Sequence, residues 1–122
     1  MGYDMRFDVV DKKNCLKKQL NNIDFCYGEI IATYEYCVDN GLADFVDKNG
    51  RNTNCYIYVN DKETVQDCYG DYLKEVTIDE LLTYLYDNED TYRRQRPFIK
   101  MLEGFREVKD KFEDLVVLRF GH

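Results

Sequence analysis

Leu16, Leu20, Ile23, Tyr27, Ile30, Tyr34 and Cys37 fall at steps of 4, 3, 4, 3, 4 and 3. Residues spaced in this way share one face of an α-helix, so the pattern predicts a helical stripe from Lys12 to Asp39, packed on a sheet. One continuous helix over that span would be about 42 Å long by its rise per residue. That is long for a chain of 122 residues, so a break at Asn21–Asn22 or a kink at Gly28 is expected. Cys15, Cys26 and Cys37 recur every eleven residues and would share one helical face. Asn40–Gly41 is placed at the end of the element, where glycine suits a left-handed cap.

The segments around the stripe follow other periods. Tyr3, Met5, Phe7 and Val9 alternate with Asp4, Arg6 and Asp8, the period of a half-buried strand. Phe45–Val46 reads as a short strand and Asn49–Gly50 as a turn. With Cys55, Ile57 and Val59 they form an expected hairpin, with Tyr56 and Tyr58 as its outer row. Residues 63–75 are ambiguous between a short helix and an irregular loop, with an extended piece ending at Val76. Thr77-Ile78-Asp79-Glu80 is a capping box, in which the Thr oxygen accepts from the third helical amide and Glu80 reaches back to the cap amide. Ile78, Leu81, Leu82 and Leu85 supply that helix's buried face, and it should stop near Tyr86–Asn88. Pro97 opens a further helix carrying Phe98, Ile99, Leu102, Phe105, Val108 and Phe112, and Leu115–Phe120 closes the chain as an apolar strand. The expected fold is α+β, one domain over residues 1–122, in the order β-α-β-β-α-α-β. A small mixed or antiparallel sheet holds both terminal strands, and the helices pack mainly on one face.

Several kinds of chemistry lack their residues. The chain has no serine, and its one histidine, His122, is the last residue of the sequence, where mobility is expected. A nucleophile needs a base beside it, so Ser–His and Cys–His catalysis have little to work with. The five cysteines show no CxxC pair, so reduced, mostly buried thiols are expected rather than a metal site or a disulfide set. Aligning Gly50 with the sixth position of a calcium loop puts Phe45 and Tyr56 where acids are required. No phosphate-cradling glycine motif occurs. No catalytic, cofactor or metal residue is assigned. No apolar run reaches the roughly 20 residues of a membrane span, and a cytoplasmic location is expected.

The net charge of −7 hides an uneven distribution. Residues 23–92 sum to −12, between segments of +2 and +3. Nucleic-acid binding draws most of its affinity from Lys and Arg, so direct binding to DNA or RNA is not expected; nor is binding to an anionic membrane. Arg93, Arg94, Arg96 and Lys100 form a local basic cluster whose expected partners are the acids before it. Within the acidic segment, tyrosines are interleaved with carboxylates. Tyrosine offers a large apolar face with a polar tip, a combination enriched at interfaces. The candidate partner-binding residues are Asp61, Glu63, Asp67, Asp71, Tyr72, Asp79, Glu80, Asp87, Glu89, Asp90 and Tyr92. The expected function is non-catalytic binding to a protein with a basic surface or groove. Its concrete form is an inhibitor that occupies a nucleic-acid-binding site, as phage anti-defence proteins such as anti-CRISPRs do. The alternatives are an immunity or antitoxin protein masking a toxin, and a small carboxylate-dependent enzyme, with or without a metal.

Overall fold

The computed structural model of the chain describes residues 4–12, 26–27, 29–37, 40–112 and 114–122. The elements are β1 (Asp4–Asp11), β2 (Cys26–Tyr27), β3 (Glu29–Cys37), α1 (Asn40–Asn49), β4 (Arg51–Asn52), β5 (Cys55–Val59), β6 (Lys62–Thr64), β7 (Lys74–Val76), α2 (Ile78–Asp87), α3 (Glu89–Arg94), α4 (Arg96–Glu107), a 3₁₀ turn (Lys109–Lys111) and β8 (Leu115–Gly121). The α+β class holds. Both terminal strands lie inside a five-stranded antiparallel sheet of order β3-β1-β8-β7-β4, and β2, β5 and β6 form a second, smaller sheet.

The alternation along β1 separates two cores. Met5, Phe7 and Val9 face the helices, where they meet Leu42 and Val46 of α1, Leu81, Leu82 and Leu85 of α2, and Phe98, Ile99 and Leu102 of α4. Val10 faces the other way, joining Val116, Leu118 and Phe120 of β8 beneath Cys55, Ile57 and Leu73. The sheet is thus covered on both faces, by helices on one and by the small sheet with its following loop on the other. Where that second face runs past the small sheet it turns polar. Asp8 is fully buried there, and its carboxylate accepts from Arg6 Nη2 at 3.0 Å and the Thr33 hydroxyl at 2.7 Å. Arg6 also lies over the Phe120 ring.

Four expectations change. First, Ile30, Tyr34 and Cys37 lie in a strand, not a helical stripe, antiparallel to β1. Cys26 stands on β2, in register with Cys55, so the helical cysteine face is not formed. The Leu16–Ile23 part of the stripe and Cys15 lie outside the described residues. Second, Asn40–Gly41 begins a helix rather than ending one, and Phe45–Val46 sit within it. Leu42 and Val46, one helical turn apart, are its buried contacts. Gly50 follows because nothing larger fits: a Cβ there would sit 2.5 Å from the Val46 carbonyl oxygen and 2.9 Å from Lys74 Cβ. Third, the capping box is half made. Thr77 Oγ1 accepts from the Glu80 amide at 3.1 Å, but Glu80 turns away to Arg51. Fourth, His122 is anchored. Its backbone exchanges two 2.8 Å hydrogen bonds with Asp4, and its ring approaches Glu35 at 3.0 Å.

Other expectations are met. The buried face of α2 is Ile78, Leu81, Leu82 and Leu85, Pro97 sits in the first turn of α4, and β7 ends at Val76. Since Thr77 alone supplies the side-chain half of the α2 cap, Thr77→Ala should cost about 1 kcal/mol in urea unfolding. Glu80→Gln should cost less than about 0.5 kcal/mol, because its ion pair with Arg51 is exposed.

Two proton-holding contacts bear on the alkaline behaviour. Burial alone would lower Lys12, but its ammonium lies 3.0 Å from both oxygens of Glu75, and the net effect raises it above 10.5. Tyr86 is raised above 10.0 by desolvation and by donating to Glu103, whose own carboxyl is pulled down by that same bond. Both raised groups hold their protons more tightly folded than unfolded. Their contribution is therefore full below pH 10.0 and is lost as pH climbs through the folded values. The urea midpoint should fall above about pH 10, and less so in the Lys12→Met and Tyr86→Phe variants; an unchanged fall in both would contradict this.

Candidate functional site

The fold divides the acidic tract between two layers. Asp61, Glu63, Asp71 and Tyr72 belong to the small-sheet layer, while Asp79, Glu80 and Asp87 belong to the helical layer on the far side of the sheet.

The small-sheet layer begins with the β5–β6 hairpin. Val59 pairs with Lys62 and Tyr58 with Glu63, so two residues make the turn. Those two, Asn60 and Asp61, have φ of 52° and 64°. A two-residue hairpin of this hand requires left-handed backbone at both positions, which Asn and Asp tolerate best among residues with a side chain. Cys55 and Ile57 point inward and are buried, while Tyr56 and Tyr58 point outward with their rings edge-on, 5.7 Å apart. Beyond β6 the chain loops and returns. Gln66 bridges to Tyr72, and the Leu73 amide donates to the Val65 carbonyl.

The loop tip is organised by Asp67. Its Oδ1 accepts from the amides of Tyr69 at 2.8 Å and Asp71 at 3.0 Å, and Gly70 takes φ +84° to make the turn. The other carboxylate oxygen faces Arg119 Nη2 at 3.9 Å, and that nitrogen also lies 2.9 Å from Asp47 on α1. Asp67 and Arg119 are both buried. Asp67 is thus a support for the loop and not a contact residue, which corrects its place among the candidates. What it holds outward is unusual for tyrosine: Tyr69 is 57% exposed and Tyr72 66%. Tyr58, Asp61, Glu63 and Asp71 are exposed as well, so the hairpin and the loop both present aromatic rings and carboxylates to solvent.

The helical layer carries a cleft of about 700 Å³ between α1 and α2. Phe45 and Tyr84 stack within it, centroids 4.6 Å apart at 24°. Arg51 reaches Glu80 Oε1 at 2.9 Å, and Asp79 and Asp87 stand exposed beside it. Asp90 is exposed on α3, whereas the side chains of Glu89 and Tyr92 lie outside the described set. The basic cluster is exposed as well, Lys100 pairing with Glu103 at 3.5 Å and Arg94 Nε donating to the Asp90 carbonyl. Among the described residues no three His, Cys, Asp or Glu converge closely enough to hold a metal ion, and no helix is long and apolar enough to cross a membrane.

Phe45 and Arg51 were not legible as site residues. Arg51 and Glu80 are 29 positions apart and meet because β4 pairs with β7, the strand that leads into α2. Tyr58 and Tyr69 carried a signal, as aromatics interleaved with acids, but only their exposure sets them apart from Tyr84.

These features describe an α+β domain with an acidic, tyrosine-bearing outer surface and an acidic cleft between helices. No protein-family model, no curated protein and no solved structure matches the chain.

Proposed function

We propose that this protein is a non-catalytic binding module, an inhibitor that inserts its small-sheet surface into a basic nucleic-acid-binding site of another protein. The observation that carries this reading is the exposure of Tyr58, Tyr69 and Tyr72 together with Asp61, Glu63 and Asp71, on a two-residue hairpin and an Asp67-capped loop. Rigid, exposed aromatics bind at low entropic cost, because little ordering remains to be done on contact. Carboxylates around them stand in for phosphates in a groove lined by Lys and Arg, and opposite potentials speed the encounter.

The test is affinity capture from native-host lysate at low and high salt, with and without added DNA or RNA. The expected result is a basic nucleic-acid-binding protein that is released steeply as salt rises and displaced by the nucleic acid. Salt-indifferent capture, or partners that lack a basic site, would overturn the reading.

A further inference from the structure

The cleft between α1 and α2 lies across the sheet from the surface just described, so a group bound there is a separate event. Its polar lining is selective. The amides of Asn49 and Asn88 donate to the carbonyls of Phe45 and Tyr84 at 3.0 and 2.8 Å, and the Thr83 hydroxyl donates to the Asp79 carbonyl at 2.9 Å. These donors are turned back onto their own helices. The charged groups left are the carboxylates of Asp79, Glu80 and Asp87 against the guanidinium of Arg51. Arg51 engages Glu80 Oε1, while Oε2 is shielded from solvent and has no hydrogen-bond donor.

We infer that this cleft receives an arginine-bearing peptide segment. Its volume exceeds that of one side chain and falls within the range of pockets that hold ligands of several residues. The excess of carboxylates selects a cation. Arginine fits better than lysine, because its planar guanidinium can donate to two carboxylates at once and stack on the Phe45–Tyr84 pair. An ammonium offers a point charge and no plane.

The probe is an N-acetylated pentapeptide with two adjacent arginines, titrated into the full chain against the same peptide with two lysines. Binding is read by calorimetry and by amide shifts in an isotope-labelled sample. Saturable binding is expected, with shifts gathered in residues 45–51 and 79–88 and the arginine peptide at least about fivefold tighter. Asp79→Asn with Asp87→Asn should weaken it at least about tenfold. Asp87→Asn alone, which leaves the first turn of α2 untouched, should weaken it about threefold or more. Asp61→Asn with Glu63→Gln on the opposite layer should change it less than about twofold. Absence of saturation, no preference for arginine, or an equal loss in the opposite-layer variant would overturn the inference. None of these outcomes depends on whether the small-sheet surface finds its own partner.

Discussion

Replacing Arg119 with alanine is expected to cost the fold about 3–5 kcal/mol, the loss seen when one partner of a buried ion pair is removed. Arg119 sits on β8 with its side chain almost wholly covered, between Asp47 on the helical side and Asp67 under the loop tip. Without it, the Asp67 carboxylate stays buried with two amide donors and no counter-charge. Against a total stability of about 5–15 kcal/mol for a domain of this kind, that is a large share. Urea unfolding checks the magnitude. Arg119→Met combined with Asp67→Asn should recover part of the loss, because the charge is removed together with its partner, and a coupling energy of about 1–3 kcal/mol is expected. Strict additivity would show that Arg119 acts through packing alone. The loss should be felt first in residues 67–72, read as faster amide exchange there.

The second large effect is on binding. Tyr69→Ala with Tyr72→Ala should weaken the proposed partner complex at least about 100-fold, from hot-spot losses near 2 kcal/mol per aromatic anchor. Both rings are exposed, so the unfolding midpoint should move by less than about 0.5 kcal/mol. Affinity and stability would thus separate in this variant and fall together in Arg119→Ala. A loss smaller than about threefold would place the contact elsewhere on the molecule.

Reading the sequence worked where one period ruled a segment. The 3.6-residue period of α2 named all four buried residues, and the alternation in β5 separated Cys55 and Ile57 from Tyr56 and Tyr58. It failed at β3, where two signals coincide. A step of four satisfies both a helix and a strand. The strand also carries a bulge: Val10 pairs with Ile30 and Val9 with Ala32, so Ile31 is the extra residue. In an even strand Ile30 and Tyr34 would face the same way. The bulge sends Ile30 to the second core and Tyr34 to the helices, where its ring stacks on Phe98 at 4.9 Å. No period in the sequence records that switch. At α1 the obstacle was punctuation. Asn–Gly pairs at 40–41 and 49–50 read as turns around a strand, although Leu42 and Val46 already stood one helical turn apart.

For the candidate site, the tract was visible as composition but its division was not. Residues 61–72 and 79–87 are neighbours in sequence, yet β7 runs between them through the sheet and delivers them to opposite layers. Charge counts carry no information about which side of a sheet a residue reaches. Asp67 shows the same limit at one position, since an acid in an acidic run proved to be a buried brace.

The strand order has a kinetic meaning. β8 occupies the middle of the sheet, paired with β1 on one side and β7 on the other, yet it is the last of the described strands to be synthesised. Until it arrives, β1 and β7 have no common neighbour and both cores lack a wall. Closing the β1–β8 ladder joins residues more than a hundred positions apart, a loop whose entropy must be lost before its contacts can compensate. The domain should therefore complete its fold after its final strand has emerged from the ribosome, in one late cooperative step.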